Sequence, residues 1–446
     1  MVPSMTKARP NIICITWHDL GRHLGTYGWK SVDSPCLDAL ASQGIRFDHA
    51  FCTAPLCSPA RASLMSGLYP HNHGMMGLVH RNWRIHENVR LLPQYLNEAG
   101  YRTLLFGFQH EAPRNQGQML GYQETWEASR DGTEVSRHFG QWLHDKGRGE
   151  KPFFASIGFA QVHREHAHGH SRASDPATVK VPAYLPDIPA VREDLADYEG
   201  LICAADAAAG IILDALRETG LADNTIVIFT TDHGSDYPRA KSSLYDPGIE
   251  TALIVHWPNV VRPGRIQKSL ISHVDILPTL LEIAGAPVPA ALPGRSFLFL
   301  LKEEPGERRT EIFSERTWHA TYDPMRCIRT EHYKLIRNFR PGRPLLMPPE
   351  FIERIGKKTT EQYFGVPRPE YELYHLHHDP DETHNLIGNP DHAEEEADLK
   401  ARLQRFLEET HDPILQGNIS PPGPHDDAWD WRLENGHWRL YDPKAG

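Results

Sequence analysis

The stretch Cys57-Ser58-Pro59-Ala60-Arg61-Ala62-Ser63-Leu64-Met65-Ser66-Gly67 organises the chain. Pro59 suits the first turn of a helix, where its missing N–H is not needed. Ala62, Leu64 and Met65 continue as helix formers, and Gly67 ends the run. The pattern predicts a helix with Cys57 at its N-terminus. Free backbone N–H groups and the positive dipole end collect an anion there. Arg61 lies one turn along the same face, and its guanidinium can fork two hydrogen bonds to an oxyanion. The ordinary reading of a lone Cys at a helix start is a small buried hydrophobe. The other reading is a nucleophile beside an anion site.

Outward from this helix, buried strands alternate with helices. Asn11 to Trp17 is a largely apolar run, as a buried parallel strand should be, and His18-Asp19-Leu20-Gly21 follows at its carboxyl end. Leu37 to Gly44 reads as a helix, Ile45 to Phe51 as a strand and Leu91 to Gly100 as a helix. Tyr101 to Phe106 is a strand leading to Gly107-Phe108-Gln109-His110, and Phe153 to Phe159 is one leading to His163. His166, His168 and His170 continue that run as a solvated loop, with metal binding the alternative. Val191 to Thr219 is a long helix with apolar residues at helical spacing. Thr225 to Phe229 is a strand that carries Thr230-Thr231-Asp232-His233-Gly234 at its end, and Thr251 to Trp257 is another. In open α/β sheets, ligands bind at the carboxyl ends of strands. His18, Asp19, His110, His163, Asp232 and His233 all fall there, although a capping or surface role is the ordinary reading of each alone.

Beyond about residue 310 the pattern changes to short strands: Ile312 to Glu315, Met325 to Thr330, Tyr333 to Arg337 and Glu372 to Tyr374. A helix from Ala393 to Thr410 should pack on them, and the tail after Pro421 should wrap the surface. The expected fold is α/β. A large, mixed and mostly parallel sheet flanked by helices fills residues 1–310. A smaller α+β unit, with an antiparallel sheet, a helix and a tail, fills residues 311–446.

The chain of 446 residues has a net charge of −11, 40% hydrophobic and 24% charged residues. That balance suits a globular protein and argues against nucleic-acid or anionic-membrane partners. Any anion site must then be a local basic pocket. Six cysteines, at 14, 36, 52, 57, 203 and 327, lack the spacing of a zinc or disulfide framework. The start has no apolar signal core and the chain has no long apolar run, so it reads as cytoplasmic as it stands. Oligomeric state is not legible.

C-S-P-A-R, followed by A-S-L-x-S-G, resembles the type I sulfatase signature C-x-P-x-R, in the alkaline phosphatase superfamily. Arg9-Pro10-Asn11 through Gly21 resembles the family's opening, with His18 where its first metal-binding Asp stands. Thr230 to Gly234 resembles its T-S-D-N-G, and Lys241 to Gly248 its K-x-x-x-Y-E-x-G. Gly107 to His110 resembles its G-K-x-H, with Phe108 in place of the Lys. Pro324-Met325-Arg326, Tyr371 to Tyr374 and Glu409 to Pro413 look closest to the heparan N-sulfatase branch.

The resemblance implies a hydrolase acting on a sulfate ester or N-sulfate, on a sugar. It implies that a maturation enzyme oxidises Cys57 to formylglycine, whose hydrate is the nucleophile. His18, Asp19, Cys57, Asp232 and His233 would surround one divalent metal. The family default is Ca²⁺, and two imidazoles shift preference toward Mn²⁺, Zn²⁺ or Fe²⁺. Arg61 and Lys241 would hold the anion. His163 would protonate the leaving group, and His110 would take the second hydroxyl's proton. Phe108 is expected to form an apolar wall facing the sugar, with His80 as a substitute for the lost charge. Two alternatives stand beside this reading. One is a phosphonate monoester or phosphodiester hydrolase, which Asp232-His233 and Phe108 also fit. The other is a non-catalytic metal- or glycan-binding relative.

Overall fold

The computed structural model describes residues 9–163, 173–423 and 430–441. His166, His168 and His170 lie outside them. Eight strands form the main sheet: β1 (Asn11–Trp17), β2 (Ile45–Phe47), β3 (Arg102–Gly107), β4 (Glu124–Trp126), β5 (Phe153–Gly158), β6 (Thr225–Thr231), β7 (Leu253–His256) and β8 (Arg265–Gln267). Their order across the sheet is β8-β2-β7-β6-β1-β5-β3-β4. β1 pairs in parallel with both β5 and β6, and only the pairings made by β7 are antiparallel.

β1 sits centrally and feeds two cores, because successive side chains leave opposite faces of a strand. Ile13, Ile15 and Trp17 join one core with helices α4 (Gly132–Lys146) and α5 (Pro189–Glu218). Ile12 and Cys14 join the other with α2 (Cys57–Ser66), α3 (Leu92–Glu98) and α6 (Ile276–Ala284). Helix α1 (Pro35–Gln43) is tied to α5 by Asp206, whose carboxylate accepts from the N–H groups of Cys36 and Leu37. The α/β class and the helix-flanked, mostly parallel sheet are as expected.

Two expected strands are each broken in two. Ile45 to Phe51 splits at Asp48, whose backbone N–H bonds to Gln267 while its carboxylate meets Arg46. Ala50–Phe51 then leaves for a small sheet with Glu250–Thr251 and Ile271–Ser272. Thr251 to Trp257 splits in the same way around Ala252. Helix α4 has no counterpart in the sequence reading. Asp131 starts it by accepting from the N–H groups of Thr133 and Glu134, both at 3.0 Å.

A four-stranded antiparallel sheet follows: β9 (Glu311–Trp318), β10 (Tyr322–Thr330), β11 (Tyr333–Asn338) and β12 (Tyr371–His375). Helix α7 (Ala393–Glu409) covers it through Leu399 and Leu403, against Ile328, Leu335 and Leu373. In the tail, Asp430–Glu434 and His437–Tyr441 form a hairpin. Trp431 anchors it by donating to the Leu345 carbonyl at 2.6 Å. Among the described residues no helix is long and apolar enough to cross a membrane.

Candidate active site

The site forms where β1, β5 and β6 end and α2 begins. Asp19 follows β1 with a φ of 51°. This left-handed conformation is uncommon outside glycine, and here it sits on a residue of the site. Tyr198, on α5, fixes it by donating its hydroxyl to the Asp19 carbonyl at 2.7 Å. Asp232 follows β6 and accepts from the backbone N–H of Asp19 at 3.0 Å, so the two strand ends are stitched together. Cys57 opens α2, whose ten residues are all buried.

Ligating atoms of His18, Asp19, Cys57, Asp232 and His233 all lie within 4.8 Å of one another, and all five residues are buried. His233 Nδ1 meets the Gly234 carbonyl at 2.8 Å, which makes Nδ1 the protonated nitrogen. Nε2 then offers a lone pair, 3.2 Å from Cys57 Sγ and 3.1 Å from Asp19 Oδ1. Three electron-rich atoms facing one another need a cation or a proton between them. Fixing one imidazole nitrogen so that the other can ligate is the usual support of a metal-bound His. The donor set of two carboxylates, two imidazoles and one sulfur fits a divalent cation.

Without an ion, protons and charges fill this role. Burial disfavours charge on His18, but Asp232, the Cys57 sulfur and Asp19 outweigh it and push His18 up to about 9. The same balance raises His233 well above the ordinary imidazole range, with Asp232 the strongest partner. Burial alone would raise the Cys57 thiol. His18, Lys241 and His233 instead hold it well below its usual value.

Two cations flank the cluster. Arg61 donates from Nε to Asp232 Oδ2 at 3.1 Å. Lys241 donates to Asp19 Oδ2 at 2.6 Å and lies 3.5 Å from Asp236. His163 Nε2 is 3.4 Å from Lys241 Nζ and 3.6 Å from Asp19 Oδ2. Burial and the Lys241 charge hold His163 down at about 3, so its imidazole is neutral here. His110 stands further out, its ring 6.0 Å from that of His18 and its Nε2 3.4 Å from His80 Nδ1.

The structure thus brings Cys57, His18, Asp19, Asp232, His233, Arg61, Lys241 and His163 together, with His110 at the edge. Phe108 departs from expectation. Its ring is only 4% exposed and forms no open apolar wall. Guanidiniums of Arg61 and Arg130 stand over it, and the His18 ring meets it edge-on at 4.7 Å. Tyr198, Asp236 and Arg130 were missed by the sequence reading. Tyr198 sits in a helical apolar pattern that reads as core, and the other two carry no spacing signal.

A family model described as Sulfatase matches residues 10–286. The chain belongs to the sulfatase family. A second model, N-sulphoglucosamine sulphohydrolase, C-terminal, matches residues 239–343. Human N-sulphoglucosamine sulphohydrolase is 30% identical, over 94% of this chain and 96% of its own length. A solved structure of a protein in complex with its substrate D-glucosamine-2-N,6-O-disulfate superimposes with a TM-score of 0.71 at 19% identity, covering 91% of this chain and 98% of the other. A phosphonate monoester hydrolase from Silicibacter pomeroyi shares the fold at the same TM-score and identity, covering 97% and 99%. This sulfatase is therefore a hydrolase of sulfuric ester or sulfur–nitrogen bonds. Its family implies a divalent metal and formylglycine, and the buried His/Asp/Cys cluster is where both would meet.

Proposed function

We propose that this sulfatase removes a sulfate ester or N-sulfate from a sugar, with Cys57 matured to formylglycine. One observation carries the reading. Cys57 Sγ lies at a buried helix start, 3.2 Å from His233 Nε2, inside the His/Asp cluster. Sγ stands in for the oxygens that a formylglycine hydrate would present. The match to the N-sulphoglucosamine sulphohydrolase model and the similarity to the human enzyme of that name support the sugar and the N-sulfate.

His18, Asp19, Asp232 and His233 would hold one divalent cation, Ca²⁺ by family habit or Mn²⁺, Zn²⁺ or Fe²⁺ by donor type. Bound there, it would supply positive charge that acidifies the nucleophilic hydroxyl and offsets charge on a sulfuryl oxygen. Arg61, fixed by Asp232, and Lys241, fixed by Asp19, would bind the remaining sulfuryl oxygens. The leaving oxygen or nitrogen needs a proton. The Lys241–His163 pair would deliver it, since the two nitrogens are 3.4 Å apart. His110 would take the proton of the second hydroxyl, which lets sulfate depart. A plain thiol has no second hydroxyl, so maturation belongs to the reading. A saccharide sulfate and a formylglycine-generating enzyme are the partners this requires.

The test assays formylglycine-bearing protein in parallel on an aryl sulfate, glucosamine N-sulfate and a phosphonate monoester. A mass spectrum of the residue-57 peptide accompanies it. The N-sulfate should give the highest kcat/KM, and Cys57→Ala should abolish turnover. Active protein carrying only a thiol at 57 overturns the mechanism. A kcat/KM for the phosphonate well above both sulfur substrates overturns the substrate class.

A further inference from the structure

Phe108 is shared by two cations. Arg61 Cζ and Arg130 Cζ each lie 5.1 Å from its ring centroid, so they stand no more than about 10 Å apart. Arg61 is engaged by Asp232. Arg130 has no such partner: among the described residues no carboxylate forms an ion pair with it. Its neighbouring acids are occupied. Glu127 accepts from Gly117 N–H at 2.8 Å and from Gln109 at 3.1 Å. Asp131 caps α4 and accepts from Gln161 at 2.8 Å.

Arg130 is also fixed in place. Its carbonyl accepts from the Ala160 N–H at 3.0 Å, and the Ala160 carbonyl in turn accepts from His163 N–H at 3.0 Å. The residue is therefore tied to the segment that positions His163. Burial and the nearby charge of Arg114 pull the Arg130 guanidinium below its usual range. The charge of Glu127 offsets only part of this, and no carboxylate among the described residues closes an ion pair with Arg130.

We infer that Arg130, backed by Arg114, forms a second anion subsite beside the reacting centre, and that the preferred sugar carries a second anionic substituent there. Two substituents of one pyranose ring fall within the span between Arg61 and Arg130. The inference rests on the sulfated-sugar reading above. It also gives Phe108 a role. The positive charge that the family places at this position stands one ring away, held by the aromatic face.

The test titrates Cys57→Ala protein, loaded with Ca²⁺ or in a second arm Mn²⁺, by calorimetry. The probes are glucosamine N-sulfate and glucosamine N,6-disulfate. The disulfate should bind about tenfold tighter, the worth of one charge-assisted contact. Arg130→Gln should remove that advantage, and Arg130→Lys should restore part of it. Arg114→Gln, at an exposed side chain, should reduce it by a smaller factor. Equal affinity for the two sugars overturns the subsite and leaves the sulfated-sugar reading standing, as does an advantage that survives both Arg130 variants. Binding of neither sugar overturns that reading and the subsite with it.

Discussion

Asp232 divides one carboxylate among four neighbours. Oδ1 accepts from the N–H groups of Asp19 at 3.0 Å and His233 at 2.9 Å. Oδ2 accepts from Arg61 at 3.1 Å and lies 3.6 Å from His18 Nδ1. Asp232→Asn keeps the shape and removes the charge. Metal affinity should fall by at least about tenfold, the scale seen even for residues behind the ligands. Calorimetric titration with Ca²⁺ and Mn²⁺ checks this, and unchanged affinity for both removes Asp232 from the ligand set. At this scale the site was legible wherever a residue follows a strand end, because the sheet brings those ends together. Strand-end position places His18, Asp19, Asp232 and His233 near one another, as the cluster shows, while their reading as metal ligands comes from the resemblance to sulfatases. Phe108 was misread because its surroundings come from Arg61 and Arg130, which are distant in sequence. An apolar residue next to a strand end looks like a pocket wall until the cations that cover it are known.

Helices and strands were legible where burial is even and propensity agrees with it. Asn11–Trp17 was read to the residue, and α2 was placed at Cys57 from Pro59 and Gly67. The breaks at Asp48 and Ala252 were not legible, since each depends on a strand leaving for a second sheet. Helix α4 was missed because its start rests on one Asp side chain. The burial of α2 has a consequence for maturation. Cys57 is 3% exposed, and no residue of the helix reaches the surface. Oxidation of Cys57 should precede folding. Protein folded with a thiol at 57 should stay unmodified when mixed with a formylglycine-generating enzyme, whereas co-expression should convert it. Mass spectrometry of the two samples decides the matter, and equal conversion refutes the order. The C-terminal sheet brings a second element-scale effect. Asp323, in β10, sits between Arg368 at 2.8 Å and Arg316 at 2.5 Å. Burial opposes its charge, yet Arg368 and Arg316 hold the carboxyl down at about 2, against an ordinary 3.8. A lowered acid contributes stability that is complete above about pH 4 and is lost as pH falls through about 2. The shift corresponds to about 2 kcal/mol. The gap in urea unfolding free energy between the parent and Asp323→Asn should narrow by about that much from pH 5 to pH 2. A gap independent of pH argues that the two arginines do not stabilise the charged form.

Across the whole molecule, the buried His/Asp/Cys cluster is also a structural joint. It ties the ends of β1 and β6 to the start of α2, and both of the main cores meet β1. Asp246, in the segment after Lys241, binds Arg329 at 3.1 Å and also Lys334, which reaches Glu382 at 2.8 Å. The C-terminal sheet thereby braces the segment that presents Lys241. Carboxylates and imidazoles packed at the joint repel or compete for protons unless a cation sits among them. Any ion that binds the folded chain and not the unfolded one stabilises it by mass action. At a hundredfold excess over its dissociation constant this amounts to about 2.7 kcal/mol. Removing the metal with a chelator should therefore lower the unfolding temperature, and restoring Ca²⁺ or Mn²⁺ should raise it in proportion to the logarithm of concentration. Asp232→Asn should lose most of that response, while an exposed substitution far from the joint, such as Lys302→Gln, should keep it. Scanning calorimetry of the three proteins with and without metal makes the comparison. If Asp232→Asn keeps the full metal response of the parent, the ion binds elsewhere, and the cluster is held by its protons alone.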